Sequence, residues 1–126
     1  MIAYLDTNSI LWLAEKDYGR FRKSTFQFMQ QLELLFSPVV LLKLEYLYEI
    51  KRSVIPARDL HRKIENELGV RLCTLPFSEV AAAALDEKWT LDPFDRLIVA
   101  NAKVNGLAPL ITADAQIAQH YPRALW

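Results

Sequence analysis

Short apolar runs that each stop at a carboxylate or a cap-and-proline signal constrain this chain most. Ile2-Ala3-Tyr4-Leu5 stops at Asp6-Thr7-Asn8. Leu34-Leu35-Phe36 stops at Ser37-Pro38, and Leu110-Ile111-Thr112 ends at Ala113-Asp114. Each run has the length of a buried strand, and each is followed by a helix-like pattern. Val70 to Leu75 reads as a further strand, and Arg123 to Trp126 as a final edge strand. Strands that alternate with helices predict an α/β domain around a mostly parallel sheet.

The intervening helices are expected at Ile10–Leu13, Phe21–Leu34, Pro38 to about Arg52, Pro56–Leu68 closed by Gly69, and Ser78–Trp89. Leu91-Asp92-Pro93-Phe94-Asp95-Arg96-Leu97-Ile98-Val99-Ala100 carries the clearest start signal. Asp92 is suited to the N-cap and Pro93 to the first helical position. Asp95 then falls in the first turn, where a negative charge meets the positive end of the helix dipole. Asn105-Gly106 is the stop signal, and Ala115 to His120 forms a last short helix.

Composition narrows the chemistry. Lysine plus arginine and aspartate plus glutamate are 15 each, so net charge gives no argument for a polyanionic partner. The single cysteine, Cys73, excludes an internal disulfide and reads as a buried thiol in a reducing compartment. The two histidines, His61 and His120, lie far apart, which offers no zinc spacing. Three glycines cannot build a phosphate-binding loop. No stretch has the length of a membrane span, so a soluble cytoplasmic protein is expected.

In an open parallel sheet, ligands collect at the carboxyl edge of the strands. Asp6 and Asp114 fall there by their place at strand ends, and Asp95 lies at the start of a helix that can begin at the same edge. The ordinary reading is a set of unrelated helix caps. The chemical reading is a cluster that a hard divalent ion neutralises, with Thr112 orienting a carboxylate.

Leu5-Asp6-Thr7-Asn8, Asp92-Pro93-Phe94-Asp95-Arg96-Leu97-Ile98-Val99-Ala100 and Leu110-Ile111-Thr112-Ala113-Asp114, in that order, resemble the motifs of PIN-domain proteins. The set is most similar to the VapC-like toxins of bacterial toxin–antitoxin pairs, and the resemblance spans nearly the whole chain. It implies a three-layer α/β/α sandwich with about five strands, as a single PIN-like domain over residues 1–126. It also implies a magnesium- or manganese-dependent ribonuclease that forms a homodimer and is held inactive by an antitoxin. Asp6, Asp95 and Asp114 match the acidic positions, with Asp6 and Asp95 as main ligands. Asp92 is expected as a cap, and Arg96 as a phosphate contact or a salt-bridge partner at the helix start. Lys51, Arg52 and Arg96 are candidates to position RNA.

One position departs from the pattern. Similar sequences carry a glutamate six residues beyond the serine, and counting from Ser37 gives Lys43. Glu45 is about 200° further around the helix and groups with Glu49 and Arg52 on the expected exposed face. Lys43 is expected to reach Asp6 and Asp95 and to take up part of the cation site. Its presence, with the neutral net charge, keeps open a non-catalytic PIN-like module that binds RNA or protein. A metal-dependent phosphatase on another α/β scaffold is a third reading. Trp12, Trp89 and Trp126 are either core residues or anchors for a partner.

Overall fold

The computed structural model describes residues 1–126. Five parallel strands form one sheet in the order β3-β2-β1-β4-β5. They are β1 (Ile2–Leu5), β2 (Glu33–Phe36), β3 (Arg71–Leu72), β4 (Leu110–Ile111) and β5 (Ala124–Leu125). Seven α-helices complete the α/β/α sandwich: α1 (Thr7–Ala14), α2 (Lys23–Met29), α3 (Val39–Glu49), α4 (Ala57–Leu68), α5 (Phe77–Ala84), α6 (Pro93–Val104) and α7 (Ala115–His120). None is long and apolar enough to cross a membrane.

The central strand explains the apolar runs. Ala3, Tyr4 and Leu5 of β1 and Leu110 and Ile111 of β4 are buried, as expected for strands covered on both faces. Tyr4 pairs with Leu35 on one side and Leu110 on the other. From β1 the chain moves through β2 to β3, and from β4 it moves the opposite way to β5. The reversal lies between β1 and β4, so their carboxyl ends flank the crevice that such a sheet offers to ligands.

Several expected elements are shorter than their sequence patterns. The helix expected over Phe21–Leu34 is confined to α2, because Gln30 and Gln31 turn the chain and β2 already begins at Glu33. The strand expected over Val70–Leu75 is only β3, an edge strand paired with Leu35 and Phe36. The helix expected over Ser78–Trp89 ends at Ala84. There Glu87 turns inward, accepting from Trp89 Nε1 at 3.0 Å and pairing with Lys103 Nζ at 2.6 Å. Gly69 ends α4 in the left-handed region, at φ +67°, where a side chain would be strained.

The three tryptophans all pack against the main core. Trp12 and Trp126 meet edge-on at 5.3 Å, and Trp89 stacks on His120 at 5.2 Å. They are therefore not free anchors for a partner. Cys73 is buried as expected, and its Sγ accepts from the Tyr4 hydroxyl at 2.9 Å.

Candidate active site at the carboxyl edge of the sheet

Asp6 follows β1 and caps α1, with Oδ1 accepting from Ser9 N at 2.9 Å. Its other oxygen accepts from Thr112 Oγ1, one residue past β4. The β1–β4 register, continued by one residue, sets Thr112 beside Asp6, so the contact is built into the sheet. Thr112 thus bonds the carboxylate that it was expected to orient. Its Oγ1 also accepts from Asp114 N at 3.0 Å, which ties the third acidic position to the first. Asp6 is 7% exposed, and burial holds its pKa above the ordinary carboxylate range against the lowering effect of these hydrogen bonds.

Asp95 lies in the first turn of α6. Asp92 is the cap, as expected, accepting from Phe94 N at 2.8 Å and from Asp95 N at 3.4 Å. Such a cap stabilises a helix by about 1 kcal/mol. Burial pushes the Asp95 carboxyl up to about 6, helped by the charges of Asp92, Asp114 and Asp6 and opposed by Lys43. Hydrogen bonding has no part among these causes. The group therefore sits in a partly dry, negative setting with nothing donated to its oxygens.

Asp114 caps α7, with Oδ1 accepting from Gln116 N at 2.8 Å and Ile117 N at 3.0 Å. It is exposed, and its charge acts on both Asp6 and Asp95. Capping and clustering are thus compatible: Asp6 and Asp114 do both, and Asp95 is not a cap. The three carboxylates share one edge, but they do not close into a ready-made three-ligand metal cluster.

A serine that sequence reading used only as a start signal joins this edge. Ser37 is 1% exposed and its Oγ has no hydrogen-bond partner. The β1–β2 register, continued by two residues, sets it beside Asp6 on the side opposite Thr112. The donor set fits a hard divalent ion, which takes one or two carboxylates and keeps several waters. Two carboxylates disfavoured as anions by burial, with Asp114 acting on both, and an orphan hydroxyl nearby suit such a hydrated cation.

Three expectations need correction. Arg96 makes no salt bridge at the helix start: its Nε donates to the Thr90 carbonyl at 2.7 Å and fixes the loop before α6. Glu45 is half-buried rather than on an open face, and it accepts from Ala57 N at 3.0 Å, closing the start of α4. Lys51 and Arg52 lie in the turn after α3, at the far end of that helix from the strand edge.

Lys43 also departs from its expected place. Its charge is felt at Asp95, but its Nζ lies 5.1 Å from the centre of the Phe94 ring and 5.5 Å from that of Tyr46. It forms no ion pair within 4 Å of either Asp6 or Asp95, whereas the protein's ion pairs lie elsewhere. Aromatic faces attract an ammonium without neutralising it, so the lysine is held near the carboxylates and not by them.

Residues 3–121 match the family described as PIN domain, and the chain belongs to that family. The phosphatase reading on another scaffold falls with that membership. The fold is similar to a structure of VapBC2 from Rickettsia felis bound to a DNA fragment from their promoter. The TM-score is 0.60 and the identity 18%, over 99% of this chain and 96% of that one. It is also similar to a structure of FitAB bound to an IR36 DNA fragment, with TM-score 0.53 and 15% identity, over 100% of this chain and 94% of that one. No curated protein sequence matches the chain. These structural likenesses concern the fold.

Proposed function

We propose that this chain, a single PIN-like domain over residues 1–126, is a VapC-like toxin that hydrolyses RNA phosphodiester bonds with a magnesium or manganese ion. The observation that carries the reading is the pair Asp6 and Asp95. Both carboxyls are raised by burial, Asp6 at the end of β1 and Asp95 in the first turn of α6, and the charge of Asp6 is felt at Asp95, in a chain of the PIN domain family. A protein that only needed caps would gain nothing from burying two mutually repelling acids.

Asp6 and Asp95 would hold the ion, and Asp114 would join through a water. When bound, the divalent ion supplies an activated water and stabilises charge on the phosphate. Thr112 and Ser9 fix both oxygens of Asp6, so the carboxylate enters the site already oriented. Asp92 fixes the first turn of α6 and with it the direction of Asp95. Arg96 braces the loop that precedes this turn.

The toxin reading carries an antitoxin partner and a homodimer with it. The exposed Leu42 of α3 and Ile50 at its C-cap, two turns apart, support a covered face better than the core tryptophans do. Sedimentation of the isolated chain tests the dimer: a monomer at all accessible concentrations counts against it.

The direct test of the enzyme is cleavage of structured RNAs with and without magnesium or manganese. Asp6→Asn and Asp95→Asn should each lower turnover by about a hundredfold or more. Equal turnover in parent and variants would point to a contaminating nuclease. Lys43 favours a second reading, a non-catalytic module that holds RNA or protein. RNA binding with no metal-dependent turnover would select it.

A further inference from the structure

We propose that Lys43, Tyr46 and Phe94 form the subsite for one nucleotide of single-stranded RNA, with the base stacked on the aromatic rings and its phosphate against the ammonium. This rests on the nuclease reading above. Lys43 and Tyr46 are three residues apart on α3 and so share one face of it. Phe94 comes from another helix, α6, and directly precedes Asp95. Its backbone is fixed by the Asp92 cap at 2.8 Å, so this ring is held one residue from the acidic cluster.

A polyanion approaching the sheet edge that carries Asp6, Asp95 and Asp114 meets like charge. A cation beside that edge must be free to face the backbone if binding is to occur before any metal arrives. Lys43 meets that need because its charge is not spent on a carboxylate. The contrast with the protein's other cation over a ring is instructive. Arg20 lies 5.2 Å from the Trp12 ring, but its Nε also pairs with Asp17 at 2.9 Å. Lys43 has the rings and no such acid.

Tyr46 is 48% exposed, so part of its ring remains available while Lys43 touches the rest. Stacking on a tyrosine or phenylalanine tolerates any base, because every base has a π-face. A base inside a duplex is already stacked on its neighbours. The subsite therefore selects unpaired nucleotides without reading their sequence, and Arg96, turned to the Thr90 carbonyl, is not needed for it.

The test is fluorescence anisotropy of an end-labelled single-stranded uridine oligoribonucleotide in EDTA, where metal-dependent cleavage cannot contribute. Tyr46→Leu, at an exposed position, should weaken binding about fivefold or more, the low end for loss of one base–aromatic stack. Lys43→Met should flatten the slope of log affinity against log salt by about 0.7, the loss of one phosphate contact on a single strand. An abasic oligomer should bind the parent and Tyr46→Leu alike. Thermal melts confirm that both variants fold. Binding by both variants within about twofold of the parent, or no binding by the parent, overturns the subsite. Metal-dependent cleavage measured in parallel separates the two claims. Cleavage by the parent with unchanged binding in the variants would remove the subsite and leave the nuclease. Weakened binding in the variants with no cleavage by the parent would do the reverse.

Discussion

The two halves of α6 carry buried polar groups to opposite ends. In the C-terminal half, Asn101 and Asn105 stand one turn apart and both donate to the Tyr4 hydroxyl, at 3.2 Å and 2.7 Å. Tyr4 donates in turn to Cys73 Sγ at 2.9 Å, and Asn101 Nδ2 also reaches that sulfur at 3.2 Å. Only Asn101 Oδ1 is left over. In the N-terminal half, Asp95 has neither a donor nor an ion pair and is pushed toward its neutral form. The first cluster uses its hydrogen bonds to bind helix, central strand and edge strand together. The second leaves an acid unsatisfied at the edge where a ligand enters. Unmet demand marks a site and met demand marks a frame.

The comparison breaks most visibly at Tyr4→Phe. The ring still fills its place, but two amide donors and the thiol lose their shared partner. The expected cost is about 2 kcal/mol in urea unfolding, with little change in metal binding. A variant as stable as the parent would show that the network is ornamental to folding.

Asp95→Asn should act in the opposite direction. Removing a charge raised by burial and by neighbouring acids should stabilise the metal-free chain by on the order of 1–2 kcal/mol near neutral pH, allowing for solvent screening. The sign with pH follows from the shift. The Asp95 carboxyl titrates near 3.8 when unfolded and at about 6 when folded, so between those values the folded chain holds the extra proton. Its contribution to stability is full below the lower value, falls as pH rises, and is lost above the upper one. Asp95→Asn should flatten that part of the metal-free stability profile. A profile unchanged by the substitution would place the raised acid elsewhere, with Asp6 the next to examine.

The division between frame and site also explains what sequence reading could reach. Asp6, Asp92, Asp95 and Asp114 were legible because each sits at a strand end or a helix start, and caps leave local signatures. The parallel sheet was legible because its central strands are continuous apolar runs. The length of β3 was not, because an edge strand is as long as its neighbour allows. Nor was the inward turn at Glu87, where an alanine-rich pattern favours helix but a lysine from another helix decides. The polar pair Asn101 and Asn105 in an apolar helix was a visible signal of the Tyr4 network. Lys43 stands out in the sequence as a cation among apolar neighbours, yet its aromatic partners could not be assigned: Phe94 is distant in sequence, and its direction depends on how α3 meets α6.

Lys43→Glu sharpens the comparison at the site end. It would exchange a cation near Asp95 for another oxygen donor of opposite charge. Manganese affinity, read by calorimetry, should rise by about fivefold, or about 1 kcal/mol, with turnover following if the chain cleaves RNA. The gain is modest because the ammonium rests on rings at 5.1 Å and 5.5 Å and does not pair with the carboxylates. Equal manganese affinity in two folded proteins would show that the lysine has no hold on the cation position.

The smallest effect is expected at Glu45→Gln, and it tests whether a carboxylate near the cleft belongs to frame or site. Glu45 Oε1 accepts from Ala57 N at 3.0 Å, at the start of α4. A glutamine carbonyl can accept the same bond, so only the interaction of a full charge with the helix N-terminus is lost. That is worth about 0.3–1 kcal/mol at a partly exposed position, and the lower end applies where the hydrogen bond survives. Manganese affinity should not move, because Glu45 points to α4 while Lys43, two residues earlier, points to Phe94. A fall in manganese affinity with stability intact would transfer Glu45 from the frame to the site.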